Sequence, residues 1–277
     1  MNTPERLLEA DQPAVLVEIT AARGSTPRTA GTWMLVTAKE TAGTIGGGQL
    51  EFTAIDKARY LLKTGEASMT LDIPLGPEIG QCCGGFVTLK LSRIGEAERN
   101  TVHARLDEER GGRPHVYIFG AGHVGLALAA AMALLPVRCI LVDSRAETLE
   151  GAAGETHLTP VPEEIVRQAP AGSAVVVTTH EHALDFLITG EALTRGDLAY
   201  VGMIGSKTKR ISFRNWFREN NGTDAVYEAL VCPIGGNAVP DKRPAVIAAM
   251  TAAEILGRLM GGEVERFRHD KAPSTQG

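Results

Sequence analysis

The sequence predicts an α/β protein, with a Rossmann-like parallel sheet in its C-terminal part and a smaller α/β domain before it. Three observations predict this. The stretch "VYIFGAGHVGLALA" is an apolar run, a glycine turn and an apolar helical pattern, with Gly120, Gly122 and Gly125 spaced G-x-G-x-x-G. The next apolar run ends in an acidic residue, Asp143, at the distance the dinucleotide fingerprint asks for. Further on, "AVVVTTH" and "AYVGMIG" continue the alternation of β-branched runs with helical stretches, which is the signature of a parallel sheet.

Taken in order, "PERLLEA" suggests a short helix, and "AVLVEIT" and "WMLVT" are apolar, β-branched runs bounded by turn residues, so they read as strands. Between them lies "ARGSTPRTAGT", a loop carrying Arg23 and Arg28. Three glycines in "AGTIGGGQLEFTAIDKARYLLKTG" run into Phe52, Ile55, Ala58, Leu61 and Leu62, which share one helical face. "ASMTLDIP" and "FVTLKLSRI" read as strands on either side of "LGPEIGQCCGG", where Cys82 and Cys83 stand side by side. Residues 1–95 are therefore expected to form the first domain. The charged stretch 96–113 reads as a linker or surface helix. Residues 114–262 are expected to form the Rossmann-like domain with a final apolar helix, "RPAVIAAMTAAEILGRLM", and 263–277 a flexible tail.

Composition narrows the class. The chain has 277 residues, 44% hydrophobic and 22% charged, enough for a real core in one large or two ordinary domains. A formal net charge of −5 with both signs interspersed argues against nucleic acid as a partner. The charged N-terminus does not read as a secretory signal, and the uncharged run 124–137 is too short to cross a bilayer. Four cysteines at irregular spacing make no disulfide framework, so a cytoplasmic protein is expected.

The candidate ligand residues fall on one edge of the predicted sheet, where open α/β folds bind ligands. Gly120 permits the turn, Gly122 lets backbone approach a phosphate and Gly125 lets helix pack on strand. His123 opens the helix, whose first N–H groups face an anion. His180, His182 and Asp185 follow the strand at 174–179, and a His-x-His metal site would have only Asp185 as a third ligand. Gly205, Ser206 and Lys207 follow the strand at 199–204 as a glycine turn, a helix cap and a cation, a second anion pocket. A plain reading stands beside each: capping histidines and a solvated basic face. An NAD(P)-dependent oxidoreductase would use Asp143 on a ribose hydroxyl. However, none of Tyr60, Tyr117, Tyr200 or Tyr227 has a lysine four residues on, so the short-chain dehydrogenase pair is missing.

An ordered set of short motifs then suggests a family: "GSTPR" at 24–28, "GTIGGGQLE" at 43–51, "GQCCGG" at 80–85, "FGAGHVG" at 119–125, "VDSR" at 142–145, "THEHALD" at 179–185, "VGMIGSKTKR" at 201–210 and "CPIG" at 232–235. Over about residues 14–260 the chain resembles the xanthine dehydrogenase accessory protein family of the XdhC/CoxI type. One departure is that the family's Gly-Lys-x-Pro stretch after "PIG" is here "GNAVPDKRPAVIA", with Lys242 and Pro244 keeping its sense. The resemblance implies a molybdenum cofactor (molybdopterin) chaperone rather than an enzyme. Such a protein binds and protects the cofactor, supports its sulfuration with sulfur from a cysteine desulfurase, and inserts it into apo xanthine dehydrogenase or a related molybdenum hydroxylase. It also implies roles for Cys82 or Cys83, either as a molybdenum contact or as carrier of a transient persulfide. The plain alternative is that both are small apolar residues in a tight turn. Gly47, Gly48 and Glu51 are expected to add to a cofactor site between the domains. A homodimer is compatible with the final apolar helix, whose face could equally pack within one chain.

Overall fold

The central strands in the first part of the chain bury both faces, and different helices cover the two. The computed structural model describes residues 3–10, 12–76, 84–236 and 238–261, and the chain divides into two units, Met1–Gly111 and Gly112–Gly277. The first unit contains α1 (Pro4–Glu9), β1 (Ala14–Arg23), β2 (Trp33–Thr37), β3 (Thr41–Gly43), α2 (Gly48–Thr64), β4 (Ser68–Leu75), β5 (Gly85–Arg93) and α3 (Glu96–Gly111). Its sheet runs β3-β2-β1-β5-β4, and every pairing is antiparallel. Val15, Val17 and Ile19 of β1 join Val87, Leu89 and Leu91 of β5 under Leu50, Ala54, Ala58 and Leu61 of α2. Leu16, one residue out of phase, packs on the other face with Leu7 and Leu8 of α1 and Val102 and Leu106 of α3. Period-two alternation on a strand separates these two cores.

The charged stretch expected as a linker or surface helix is α3, and it belongs to the first unit. Val102 and Leu106, one turn apart, are buried, and the basic side chains tie the helix down. Arg105 Nη2 donates to Glu18 Oε1 at 2.7 Å and Arg110 Nη2 to Glu5 Oε1 at 2.9 Å. High charge in a helix sequence reports only its exposed face, and two well-placed apolar residues suffice for docking.

The second unit contains β6 (His115–Phe119), α4 (His123–Met132), β7 (Arg138–Asp143), α5 (Ala146–Leu149), β8 (Glu155–Leu158), α6 (Pro162–Gln168), β9 (Ala174–Val177), α7 (His182–Arg195), β10 (Tyr200–Met203), α8 (Lys207–Glu219), α9 (Asp224–Tyr227), β11 (Leu230–Val231) and α10 (Pro244–Leu259). Its sheet order is β11-β10-β9-β6-β7-β8, with all pairings parallel. This is the doubly wound order, and the strand sequence reverses between β6 and β9. The expected fold class is thus borne out. Leu128, Ala129 and Met132 of α4 and Ala248, Ala252 and Ile255 of α10 cover one face of the sheet. Val166 of α6, Ile188 and Ala192 of α7, and Phe213 and Phe217 of α8 cover the other. The apolar face of α10 is therefore used within its own unit, which removes the reason offered for a dimer through it. Among the described residues no helix is long and apolar enough to cross a membrane.

Candidate functional site

The glycine turn after β6 is held by sterics that only glycine meets. Gly120 has φ +105°, and a Cβ there would stand 2.8 Å from the Thr178 carbonyl carbon and oxygen. A Cβ on Gly125 would lie 1.9 Å from the Gly120 carbonyl oxygen, so α4 packs directly on the turn. Thr178 Oγ1, from the end of β9, lies 2.9 Å from Gly120 O and 3.1 Å from Phe119 O and fastens the turn to the neighbouring strand. Gly122 has a different neighbour. The space a Cβ would take is closed by the His180 ring, whose Nε2 would be 2.7 Å away. His180 thus covers the place where the fingerprint lets a pyrophosphate approach.

Asp143 sits at the end of β7 and is buried. Its Oδ2 accepts from the Ala121 N–H at 2.7 Å and from Arg145 Nη2 at 3.1 Å. Its Oδ1 accepts from the Arg145 N–H and from Arg145 Nε, both at 3.0 Å. Burial alone would raise this carboxyl, but the Arg145 guanidinium and the two backbone N–H groups outweigh it and hold the group at about 2. A cavity of about 270 Å³ opens at the ends of β6, β7 and β9, lined by Gly120, Asp143, Ser144, Arg145, His180 and Glu181 among others.

A second edge site lies beside it. Asp185, in the first turn of α7, is fully buried. Thr179 Oγ1 donates to its Oδ1 at 2.6 Å, and Lys209 Nζ forms a short ion pair with its Oδ2. Ser206 caps α8 by accepting the Lys209 N–H at 3.2 Å. Gly205, Ser206, Lys209 and His182 line a shallow depression of about 340 Å³. His182 is exposed and stacks on Phe186. Lys207 points to solvent, and the cation that enters the site is Lys209. Because Asp185 is already paired, it is not available as a third metal ligand. Among the described residues no group of three or more His, Cys, Asp or Glu could hold a metal ion. His123 is exposed at the start of α4 and is not among the residues lining the 270 Å³ cavity.

In the first unit, three motif loops converge. Gly46, Gly47 and Gly48 have φ of +126°, +73° and +62°, a run of positive φ that side chains disfavour. Glu51, on α2, folds back onto this turn. Its Oε2 accepts from Thr44 Oγ1 at 2.5 Å, from the Ile45 N–H at 3.0 Å and from the Gly47 N–H at 3.1 Å. Pro27 packs so closely on Gly46 that a Cβ there would meet its Cγ at 2.6 Å. The end of the third loop abuts the first: Ser25 bridges Gly84, and a Cβ on Gly85 would fall 2.2 Å from Ser25 O. The expectations for Cys82 and Cys83 lie outside the described residues. Cys139 is a buried strand residue whose thiol is pushed up to about 12 by burial, with Glu155 adding to it, as its place in a strand run suggests.

Sequence reasoning placed Gly120, Gly122, Gly125, Asp143, His180, Asp185, Gly205 and Ser206 at the carboxyl ends of the sheet's strands, and they are there. It gave no role to Arg145 or Thr178. The spacing Asp-x-Arg was the available signal for Arg145, since two residues let the guanidinium fold back on its own carboxylate.

The fold and this edge define a two-unit protein whose second unit has a Rossmann-type architecture. A family profile described as "XdhC Rossmann domain" matches residues 116–255, and one described as "XdhC and CoxI family" matches residues 7–73. The chain belongs to the XdhC family. An uncharacterized protein, YqeB of Escherichia coli K12, is 27% identical over 263 residues, covering 91% of this chain and 44% of that protein. This chain thus spans less than half of that relative's length. A crystal structure from Bacillus halodurans, described as a xanthine dehydrogenase, superposes with a TM-score of 0.73 at 19% identity, covering 92% of this chain and 95% of that one. That likeness is one of fold.

Proposed function

We propose that this protein is an accessory factor that binds and protects the molybdenum cofactor, supports its sulfuration and delivers it to xanthine dehydrogenase or a related molybdenum hydroxylase in the cytoplasm. Membership in the XdhC family supports the accessory role in xanthine dehydrogenase maturation. The observation that carries the finer reading is the meeting of the 24–28, 44–51 and 84–85 loops in the first unit. Molybdopterin is a bulky anion with a terminal phosphate, and these loops suit such a group. Gly47 and Gly84 leave backbone bare, Arg28 lies beside Gly46, and the Ile45 and Gly47 N–H groups already donate to a carboxylate, that of Glu51. When bound, the cofactor would bring its own dithiolene ligands for molybdenum. In this reading Cys82 and Cys83, which join β4 to β5, are the soft thiols, one touching molybdenum or carrying a persulfide. A cysteine desulfurase and the apo-hydroxylase are the partners.

An NAD(P)-dependent oxidoreductase is the rival. The engaged Asp143 and the His180 ring over Gly122 weigh against a dinucleotide bound in the usual way. Anaerobic purification, with molybdenum and pterin assayed in the protein and NADH titrated against it, separates the two. Bound pterin with molybdenum is expected. Tight NADH binding without pterin would overturn the proposal. A Cys82→Ala/Cys83→Ala variant that holds cofactor and activates the target as wild type does would remove the thiols from it.

A further inference from the structure

The cavity at the ends of β6, β7 and β9 lies where this fold takes a nucleotide, and its carboxylate is wrongly engaged for a free ribose diol. In NAD-binding folds an acidic residue at the end of the second strand accepts hydrogen bonds from the ribose diol. Here Asp143 holds that position, but a carboxylate offers about four acceptor directions, and all are engaged. Ala121 N–H, Arg145 N–H, Arg145 Nε and Arg145 Nη2 each donate to it at 2.7–3.1 Å. A diol arriving there would have to displace Arg145 from a buried carboxylate. The group facing the cavity is instead Arg145, whose side chain is 47% exposed. Its guanidinium carries more N–H donors than Asp143 takes, and among the described residues no other protein acceptor engages them. Asp143 fixes the plane of the fork, so little rotamer freedom is lost when a ligand arrives. Ser144, also on the cavity wall and exposed, sets a hydroxyl beside it.

We propose that Arg145, with Ser144, reads a phosphomonoester in this cavity. A fork of parallel N–H donors matches phosphate oxygens in two-point contact. Glu181 lines the same cavity and Glu147 lies within electrostatic reach of Arg145, so the pocket has no net positive field. Directed bonds, rather than bulk charge, therefore set the selectivity. The phosphomonoester comes either from a nucleotide phosphorylated on its ribose or from a smaller phosphorylated metabolite. The inference stands apart from the chaperone reading, because its probes contain no molybdenum.

Calorimetry on the full chain tests it with NADP⁺, NAD⁺ and phenyl phosphate. NADP⁺ and NAD⁺ differ only in the ribose phosphomonoester, and phenyl phosphate carries that group without a nucleoside. At least one phosphomonoester is expected to bind tenfold or more tighter than NAD⁺. Arg145→Gln is expected to abolish that advantage, Arg145→Lys to keep part of it, and Ser144→Ala, which leaves the Asp143 pair untouched, to weaken binding about threefold. NADP⁺ far ahead of phenyl phosphate assigns the nucleotide source, and equal binding assigns the phosphate alone. The proposal is overturned if neither phosphomonoester binds, if NAD⁺ binds as tightly as the better of them, or if Arg145→Gln, folded by thermal melt, leaves their binding unchanged.

Discussion

The two glycine turns of this protein, at 46–48 and 120–125, both hold a carboxylate against backbone N–H groups, and they do so by opposite means. At the first turn the carboxylate is local. Glu51 comes from the helix that the turn opens, and a single oxygen takes all three donors. At the second turn the carboxylate comes from the next strand, is buried, and is saturated by Arg145 as well as by the Ala121 N–H. The first is an arrangement of the capping-box kind that orders one loop. The second is a tertiary clamp joining two strands, a turn and a cavity wall. The difference teaches that glycine-rich motifs of similar appearance can sit at very different places in the energetics of a fold.

Substitutions can break that comparison, and the largest effect is expected at Gly125. Alanine there would press its methyl to 1.9 Å from the Gly120 carbonyl oxygen, a backbone atom that cannot step aside. Urea denaturation of Gly125→Ala should show a loss of about 4 kcal/mol or more, or a second unit that does not fold. Next comes Asp143→Asn, which removes the charge that pairs with Arg145 and should cost about 2–3 kcal/mol at neutral pH.

The same group gives a pH test. Its folded-state value, about 2, lies below the ordinary 3.8. It therefore contributes stability above pH 3.8 that is lost as pH falls toward 2, about 2 kcal/mol in all. The wild-type protein should lose that increment across this window, and Asp143→Asn should not. A wild-type and variant difference that stays constant from pH 5 to pH 2 would contradict the clamp.

At the first turn the effects should be smaller. Gly47→Ala should cost about 1–3 kcal/mol, because its φ of +73° and ψ of −173° lie in a region that is almost exclusively glycine's, while nothing lies within 4 Å of the added methyl. Glu51→Ala strips three donors of one acceptor in a partly solvated loop and should cost about 1–2 kcal/mol in thermal or urea melts. If Gly47→Ala proved as damaging as Gly125→Ala, the contrast between a loop cap and a tertiary clamp would fail.

Much of the second unit was legible because its signals are short-ranged. The G-x-G-x-x-G spacing, the apolar runs and the acidic strand end sit within one βαβ unit, where sequence distance and spatial distance agree. The docking of α3 was not legible because fourteen polar or small positions hide two buried ones, Val102 and Leu106, whose partners lie on α1 and β1 far back in the chain. The histidines after β9 read as a matched pair, yet His180 lies on Gly122 while His182 stacks on Phe186. Alternation on a helix start sends neighbouring residues to different surroundings.

Sequence alone therefore determined the fold class, the family, the glycine turns and the edge of the sheet on which the candidate residues gather. The family rests on the resemblance of its ordered motifs, and the rest follows from local stereochemistry and from periodicity in hydrophobic residues. Tertiary structure alone decided that Asp143 is occupied by Arg145, that Lys209 rather than Lys207 enters the second site, that His180 covers Gly122, and that α10 buries its face within its own unit. Those outcomes depend on which side chains strand order and helix packing bring within hydrogen-bond distance, and a carboxylate or an apolar face has only so many partners it can take.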